Sequence, residues 1–331
     1  MLGASLGALI AGIAMPGDTE AQPAARVWRI GVVGFGPPTP EIDDALAALR
    51  RQLRERGHRV VIEYRWPIPG DDSPQTDLSA EILALRLDVL VVWGERALRV
   101  VRYRSELLVP PPAVFALYNE LRPGDVMWQF STEKGIAGVS ATRPGLITDQ
   151  VRILSDVVPG MSRLAILWDP WDPGSLRAFN EAVDRAQAAG VRPHGVEARN
   201  GTQLPSAFGA AASAGANALL VIASATSISH AATVVALAAR YHVPAMYSLH
   251  EFAEAGGLIS YGASFRNTLR RAAAYVDRIV NGRDWPPVSP RGTLPIESPP
   301  KLELVINLKT AKTLGLTILP SLLARADQVI E

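Results

Sequence analysis

Short apolar runs alternate with amphipathic stretches along most of this chain. Arg29–Phe35 (Arg-Ile-Gly-Val-Val-Gly-Phe) has the β-branched, continuously apolar character of a buried strand. Glu41–Arg56 then places Ile42, Leu46, Leu49 and Leu53 at helical spacing, with Gly57 positioned to stop the helix. The spacing predicts further strands over Val60–Trp66, Asp88–Gly94, Pro112–Tyr118 and Ile136–Ala141, with a helix over Leu78–Leu87 and another short one before Pro112. The pattern restarts at Arg163–Asp169. A helix over 175–189 ends at Gly190, and strands follow at Val191–Glu197, Ala218–Ser224, Ala245–His250 and Gly257–Gly262. Helices are expected over 204–214, 227–240 and Phe265–Val280. Strands separated by helices of this length imply parallel sheets covered on both faces. Two successive α/β units of similar size suggest two similar lobes, and pattern alone would cut the chain once, near residue 143.

Gly282–Pro300 breaks the alternation. Prolines at 286, 287, 290, 295, 299 and 300 exclude a helix and predict an extended surface connection. The N-terminus differs again. Residues 3–15 form an apolar run about as long as the core of a signal peptide and too short to span a bilayer. Pro16 and Gly17 break it, and Thr19-Glu20-Ala21 offers small residues for cleavage after Ala21, although no Lys or Arg precedes the run. Residues 1–21 are therefore expected to be a signal peptide, and the mature chain an exported, soluble, periplasmic protein.

Composition narrows the chemistry. The 331 residues are 48% apolar, enough for sizeable cores and too apolar for a disordered chain. Thirty-three basic against 32 acidic residues leave a net charge of +1, which supplies no general field for nucleic acid. Cysteine is absent, so disulfides, thiolate metal sites, cysteine nucleophiles and a lipid-modified cysteine are excluded. Enzyme motifs fail on inspection. Gly31-Val-Val-Gly34-Phe-Gly36 has the wrong spacing for a dinucleotide fingerprint, and Pro37-Pro38 removes N–H groups that a pyrophosphate needs. There is no Gly-x-x-x-x-Gly-Lys-Ser/Thr loop, and His250-Glu251 lacks the second histidine of a zinc protease motif. No cofactor or metal is expected.

The last 31 residues, beginning Lys301-Leu-Glu-Leu-Val-Ile-Asn-Leu-Lys and including Thr313-Leu-Gly-Leu-Thr-Ile-Leu-Pro, closely resemble the C-terminal signature of one family of ABC-transporter substrate-binding proteins. That family includes tryptophan-binding members. A looser similarity runs from about residue 28 onward: Ile30-Gly31, Gly135–Val139, and Asp169-Pro170 with Ser175, which resembles an Asn-Pro…Ser loop. The resemblance implies a type I periplasmic-binding fold, an α/β architecture of two Rossmann-like lobes joined by three crossovers. Residues 28–142 plus 264–283 would form lobe one, and 143–263 plus 285–331 lobe two.

Ligands of open α/β sheets bind outside the carboxyl ends of the strands. In such a fold the first rim is expected to carry Phe35, Trp93, Gly94, Glu95, Tyr118 and Asn119, and the second Asp169, Trp171, Ser175, Ser224, Thr226, His250, Glu251 and Tyr261. Helix N-termini after Gly94 and Asp172 could hold a carboxylate, and the aromatic residues could wall an apolar pocket. Glu251 is placed where related proteins carry an acid and could pair with a ligand ammonium. The 224–229 loop lacks the Asp that amino-acid-binding members tend to carry, so an aromatic or other carboxylated metabolite stands beside an amino acid. Several residues have plainer roles open to them: Trp93 and Trp168 could pack beneath helices, and Asp172 followed by Pro173 could simply cap a helix. The resulting expectation is a monomeric, non-enzymatic receptor that binds a small-molecule ligand and feeds an ABC importer permease. A ligand-sensing domain signalling to a membrane receptor is the alternative, and a nucleotide-dependent enzyme a more remote one.

Overall fold

Five consecutive apolar residues, Val89–Trp93, leave no polar side for solvent, and the chain buries every one of them in a strand covered on both faces. This strand lies inside the first of two sheets in the computed structural model, which describes residues 26–34, 38, 40–66, 75–94, 97, 113–117, 137–281, 296–297, 299 and 301–331. The first sheet contains β1 (Val27–Val33), β2 (Arg59–Arg65), β3 (Val89–Trp93), β4 (Ala113–Leu117), β5 (Ala137–Ser140) and, from much later in the chain, β11 (Ile296–Glu297). Its order is β11-β5-β4-β3-β1-β2, and every pair is parallel.

The second sheet contains β6 (Arg163–Trp168), β7 (Arg192–Glu197), β8 (Ala218–Val221), β9 (Ala245–Leu249), β10 (Ile259–Ala263), β12 (Glu303–Asn307) and β13 (Gln328–Ile330). Its order is β13-β12-β10-β9-β8-β6-β7, parallel throughout except where β12 runs antiparallel to β10. The connecting helices are α1 (Pro40–Glu55), α2 (Gln75–Ala84), α3 (Leu146–Val157), α4 (Pro173–Ala188), α5 (Leu204–Ser213), α6 (Ala225–Ser229), α7 (Ala231–Arg240), α8 (His250–Glu254), α9 (Phe265–Val280), α10 (Leu308–Thr313) and α11 (Pro320–Leu323). The fold is that of the type I periplasmic-binding proteins.

Local sequence explains the elements. Helix α1 buries Ile42, Ala45, Leu46, Leu49 and Leu53, the stripe its spacing predicts. Gly57 then adopts φ of 87°, so the chain turns back with the His58 N–H donating to the Leu53 carbonyl. One predicted helix is two. The span expected over 227–240 divides into α6 and α7 at His230, whose φ of −122° is not helical. Ser224, in a reciprocal capping box with Ser227, starts α6 two residues before the expected helix. The pattern reading assigns no element to α3, α8, α10, α11, β11, β12 or β13; all but the 12-residue α3 have six residues or fewer.

The chain passes between the sheets three times: between β5 and α3, at Ser264 between β10 and α9, and between β11 and β12. Helix α9 follows a second-sheet strand but packs on α1 and on β3, β4 and β5 of the first sheet. Residues 285–331 do not all belong to the second lobe. Ile296 and Glu297 pair with Gly138 and Val139 of β5, so the final crossing lies after them. Strand β5 would otherwise end the sheet with an unpaired row of backbone groups, and the non-proline pair Ile296-Glu297 satisfies part of that row.

Candidate functional site

All three crossings start from carboxyl ends of strands (β5, β10 and β11), which brings the two rims to one junction. On the second rim, β6 is followed by Asp169, which is fully buried. One of its carboxylate oxygens accepts the Thr226 hydroxyl at 2.9 Å and the other the Trp171 N–H at 2.9 Å. Its own N–H donates to Ser175 Oγ at 3.0 Å, while Ser175 N–H donates to Asp172 Oδ1 at 3.1 Å. The loop 169–175 is thus a closed ring of hydrogen bonds, with Asp172 as the cap of α4 and Pro173 in its first turn. Asp169, Asp172, Ser175, Ser224 and Thr226 are all nearly inaccessible. Ser224 is engaged in the α6 capping box.

Trp171 is the side chain this ring projects outward. It is 36% exposed, and the Arg199 guanidinium lies 5.2 Å from its ring centroid. Trp168 behaves differently: it stacks on Phe179 of α4 at 4.4 Å, beneath the helix rather than on the rim. At the end of β9, Glu251 accepts the Ser264 hydroxyl at 3.0 Å. Both ring nitrogens of His250 face carboxylates, with Nε2 at 3.1 Å from Glu254 and Nδ1 at 2.9 Å from Glu303.

Tyr261 stands at a bend in β10. The register with β9 slips between Ser260 and Ala263. A side chain on Gly262 would lie 1.9 Å from the Ser248 carbonyl oxygen, so the bend requires glycine. The Tyr261 carbonyl accepts from Gln150 Nε2 at 2.7 Å, and its hydroxyl accepts from Arg143 Nη2 at 3.3 Å. Arg143 lies on the first crossing and also pairs with Asp149 at 2.9 Å. The Tyr261 hydrogen bond outweighs burial and, with Asp149, raises the already high pKa of the guanidinium.

On the first rim, Trp93 is fully buried and tilted against Tyr64, with ring centroids 5.9 Å apart. Tyr64 in turn stacks on Trp66 at 5.7 Å and covers Gly34, where a Cβ would lie 2.0 Å from the Tyr64 hydroxyl. Gly94 closes β3 at φ of 80°. Phe35, Glu95, Tyr118 and Asn119 lie outside the described residues. The structure brings together Asp169, Trp171, Ser175 and Thr226 in one loop system, and Glu251, His250 and Tyr261 around the crossings. Sequence reading missed Tyr64 and Trp66, although they close a predicted strand and the strand-end rule points to them. It also missed Arg143, Asn267 and Glu303, whose importance arises from the crossings. Among the described residues no cluster of His, Asp or Glu has metal-binding geometry.

Two largely parallel α/β sheets joined by three crossings, with loop-built rims at the junction, are the architecture of the type I periplasmic-binding fold. Over residues 112–330, about two thirds of its length, the sequence matches the family of ABC transporter substrate binding proteins, and the chain belongs to that family. A conserved domain protein from Vibrio cholerae is similar in structure, with a TM-score of 0.77 at 19% identity over 92% of this chain and all of that one. An ABC domain in complex with L-Trp from Streptococcus pneumonia gives a TM-score of 0.76 at 22% identity with the same coverage. A periplasmic solute-binding protein from Actinobacillus succinogenes with bound D-allose gives 0.61 at 10% identity, over 86% of this chain and 99% of that one. Comparison with curated protein sequences returns no match.

Proposed function

We propose that this protein is an exported, periplasmic receptor that captures a small solute between its lobes and delivers it to the permease of an ABC importer. It acts as a monomer and does no chemistry. The observation that carries this reading is the junction itself: three crossings beside two rims of strand ends, in a chain of the substrate-binding family. Such a junction lets the lobes rotate, and a ligand that touches both rims favours the closed state by its differential affinity.

The ligand proposed is a small carboxylated or aromatic metabolite, with an amino acid first. Trp171 and Tyr261 supply flat walls on the second rim. Glu251 is proposed to meet a ligand ammonium, in a rim that also contains the Asp169 and Asp172 carboxylates. The N-terminus of α4 already holds Asp172, so a ligand carboxylate is expected to turn toward the first rim, near Gly94. The similarity to a protein in complex with L-Trp supports this order of candidates, and the one with bound D-allose keeps sugars in the screen. Native mass spectrometry of the purified protein, followed by a thermal-shift screen of amino acids, aromatic acids, sugars and nucleosides, tests the reading. A ligand at 100 times its Kd stabilises the folded state by about 2.7 kcal/mol. A shift with sugars alone would remove the ligand class and leave the receptor; turnover of the bound compound would remove the receptor.

A further inference from the structure

What sets the resting angle between the lobes is a separate question from what fills the cleft. Around the second and third crossings the structure gathers a continuous chain of polar contacts. Glu254 Oε1 lies 3.1 Å from His250 Nε2, and His250 Nδ1 lies 2.9 Å from Glu303 Oε2. The other oxygen of Glu303, Oε1, accepts from Asn267 Nδ2 at 3.3 Å. His250 and Glu254 belong to α8, at the rim of the second sheet. Glu303 opens β12 just after the third crossing, opposite Gly262 of β10. Asn267 sits in the first turn of α9 just after the second crossing, and α9 packs on the first sheet.

We propose that Glu303, held by His250, is a positioning residue of the hinge: it ties the first turn of α9, in one lobe, to α8, in the other, and so sets how far the lobes part before ligand arrives. The inference rests on the receptor reading for its purpose, because a hinge matters only if closure captures something. Glu303 is suited to the role by its two oxygens. One serves α8 in its own lobe and the other α9 in the first, so a rotation that carries α9 away from β12 stretches the Asn267 contact.

His250 holds Glu303 from within the second lobe, with carboxylates facing both of its ring nitrogens, Glu254 on its own helix and Glu303 on β12. Among the described residues, the ionisable groups around His250 are Glu251 and Glu254 on its own helix, Glu303 on β12, Lys301 just before it, and Asp327 just before β13, which pairs with Lys301. Helix α9 presents the uncharged Asn267.

The absence of cysteine allows a clean test on the full chain. Arg51→Cys on α1 and Gln187→Cys on α4, both exposed, place one spin label on each lobe. Double electron–electron resonance then gives the interlobe distance distribution without ligand. The expected result is a narrow distribution for the wild type that His250→Gln and Glu303→Gln broaden. Asn267→Ala, which removes only the contact to α9, should broaden it as well, and it decides the matter if the Glu303 variant does not fold by circular dichroism. Folded variants that keep the wild-type distribution overturn the proposal. Such variants in a protein that closes on a solute remove the hinge role and keep the receptor. Variants that broaden the distribution of a protein that closes on none of the screened solutes keep the hinge role and count against the receptor.

Discussion

Buried polar side chains at the second rim do more to shape this site than the exposed ones. Asp169 is fully buried with Thr226 donating to it, so Thr226→Val leaves a buried carboxylate short of a donor. The expected cost is about 1–3 kcal/mol, read as a lower urea midpoint with an unchanged slope. Gly262 is constrained more sharply. The Cβ of Gly262→Ala would meet backbone, not a mobile side chain, so the bulge in β10 must open. We expect a loss of about 1–3 kcal/mol and, because the bulge aims Tyr261, weaker ligand binding in the same variant. Trp171→Ala with Glu251→Ala should lower affinity for the identified ligand by at least tenfold, about 1.4 kcal/mol, in isothermal titration. Affinity unchanged in both single variants would remove these residues from the site.

Among the elements, β13 is the one whose attachment we expect to answer to acid. It is a three-residue edge strand, and its approach is fixed by Asp327, which accepts the Leu304 N–H at 2.8 Å and pairs with Lys301. Burial acts to raise the Asp327 pKa, but the Lys301 and Leu304 hydrogen bonds outweigh it and hold the carboxyl below its ordinary value. A depressed carboxyl stabilises the fold above its unfolded-state pKa and loses that contribution as pH falls through the folded value. Acid unfolding of the wild type should therefore include a component below about pH 4 that Asp327→Asn lacks, and amide exchange in β13 should rise in the wild type over that window. At the N-terminal side, α1 and its left-handed Gly57 were legible in sequence because apolar spacing and a terminal glycine are local signals. The division of α6 from α7 at His230 was not, since the 227–240 span carries no proline or glycine to signal a break.

At the scale of the whole molecule, the alternation of buried strands and amphipathic helices was enough to establish two parallel α/β units, and the C-terminal signature enough to point to their family. Both are readable because burial on two faces demands uninterrupted apolar runs, whatever lies elsewhere in the chain. The strand-end rule likewise marks the loops that form the rims, including Asp169–Ser175 and Glu251, from order along the chain alone. What sequence could not determine is which partners those loops choose. Folding places the Thr226 hydroxyl against Asp169. Tyr64 and the first-sheet core enclose Trp93. Ile296-Glu297 joins the first sheet although β12, the next strand in sequence, belongs to the second. Each outcome depends on contacts between residues tens to hundreds of positions apart, and one-dimensional periodicity carries no information about such pairs. The hinge contacts of Glu303 with His250 and Asn267 exist only once three crossings have brought them together.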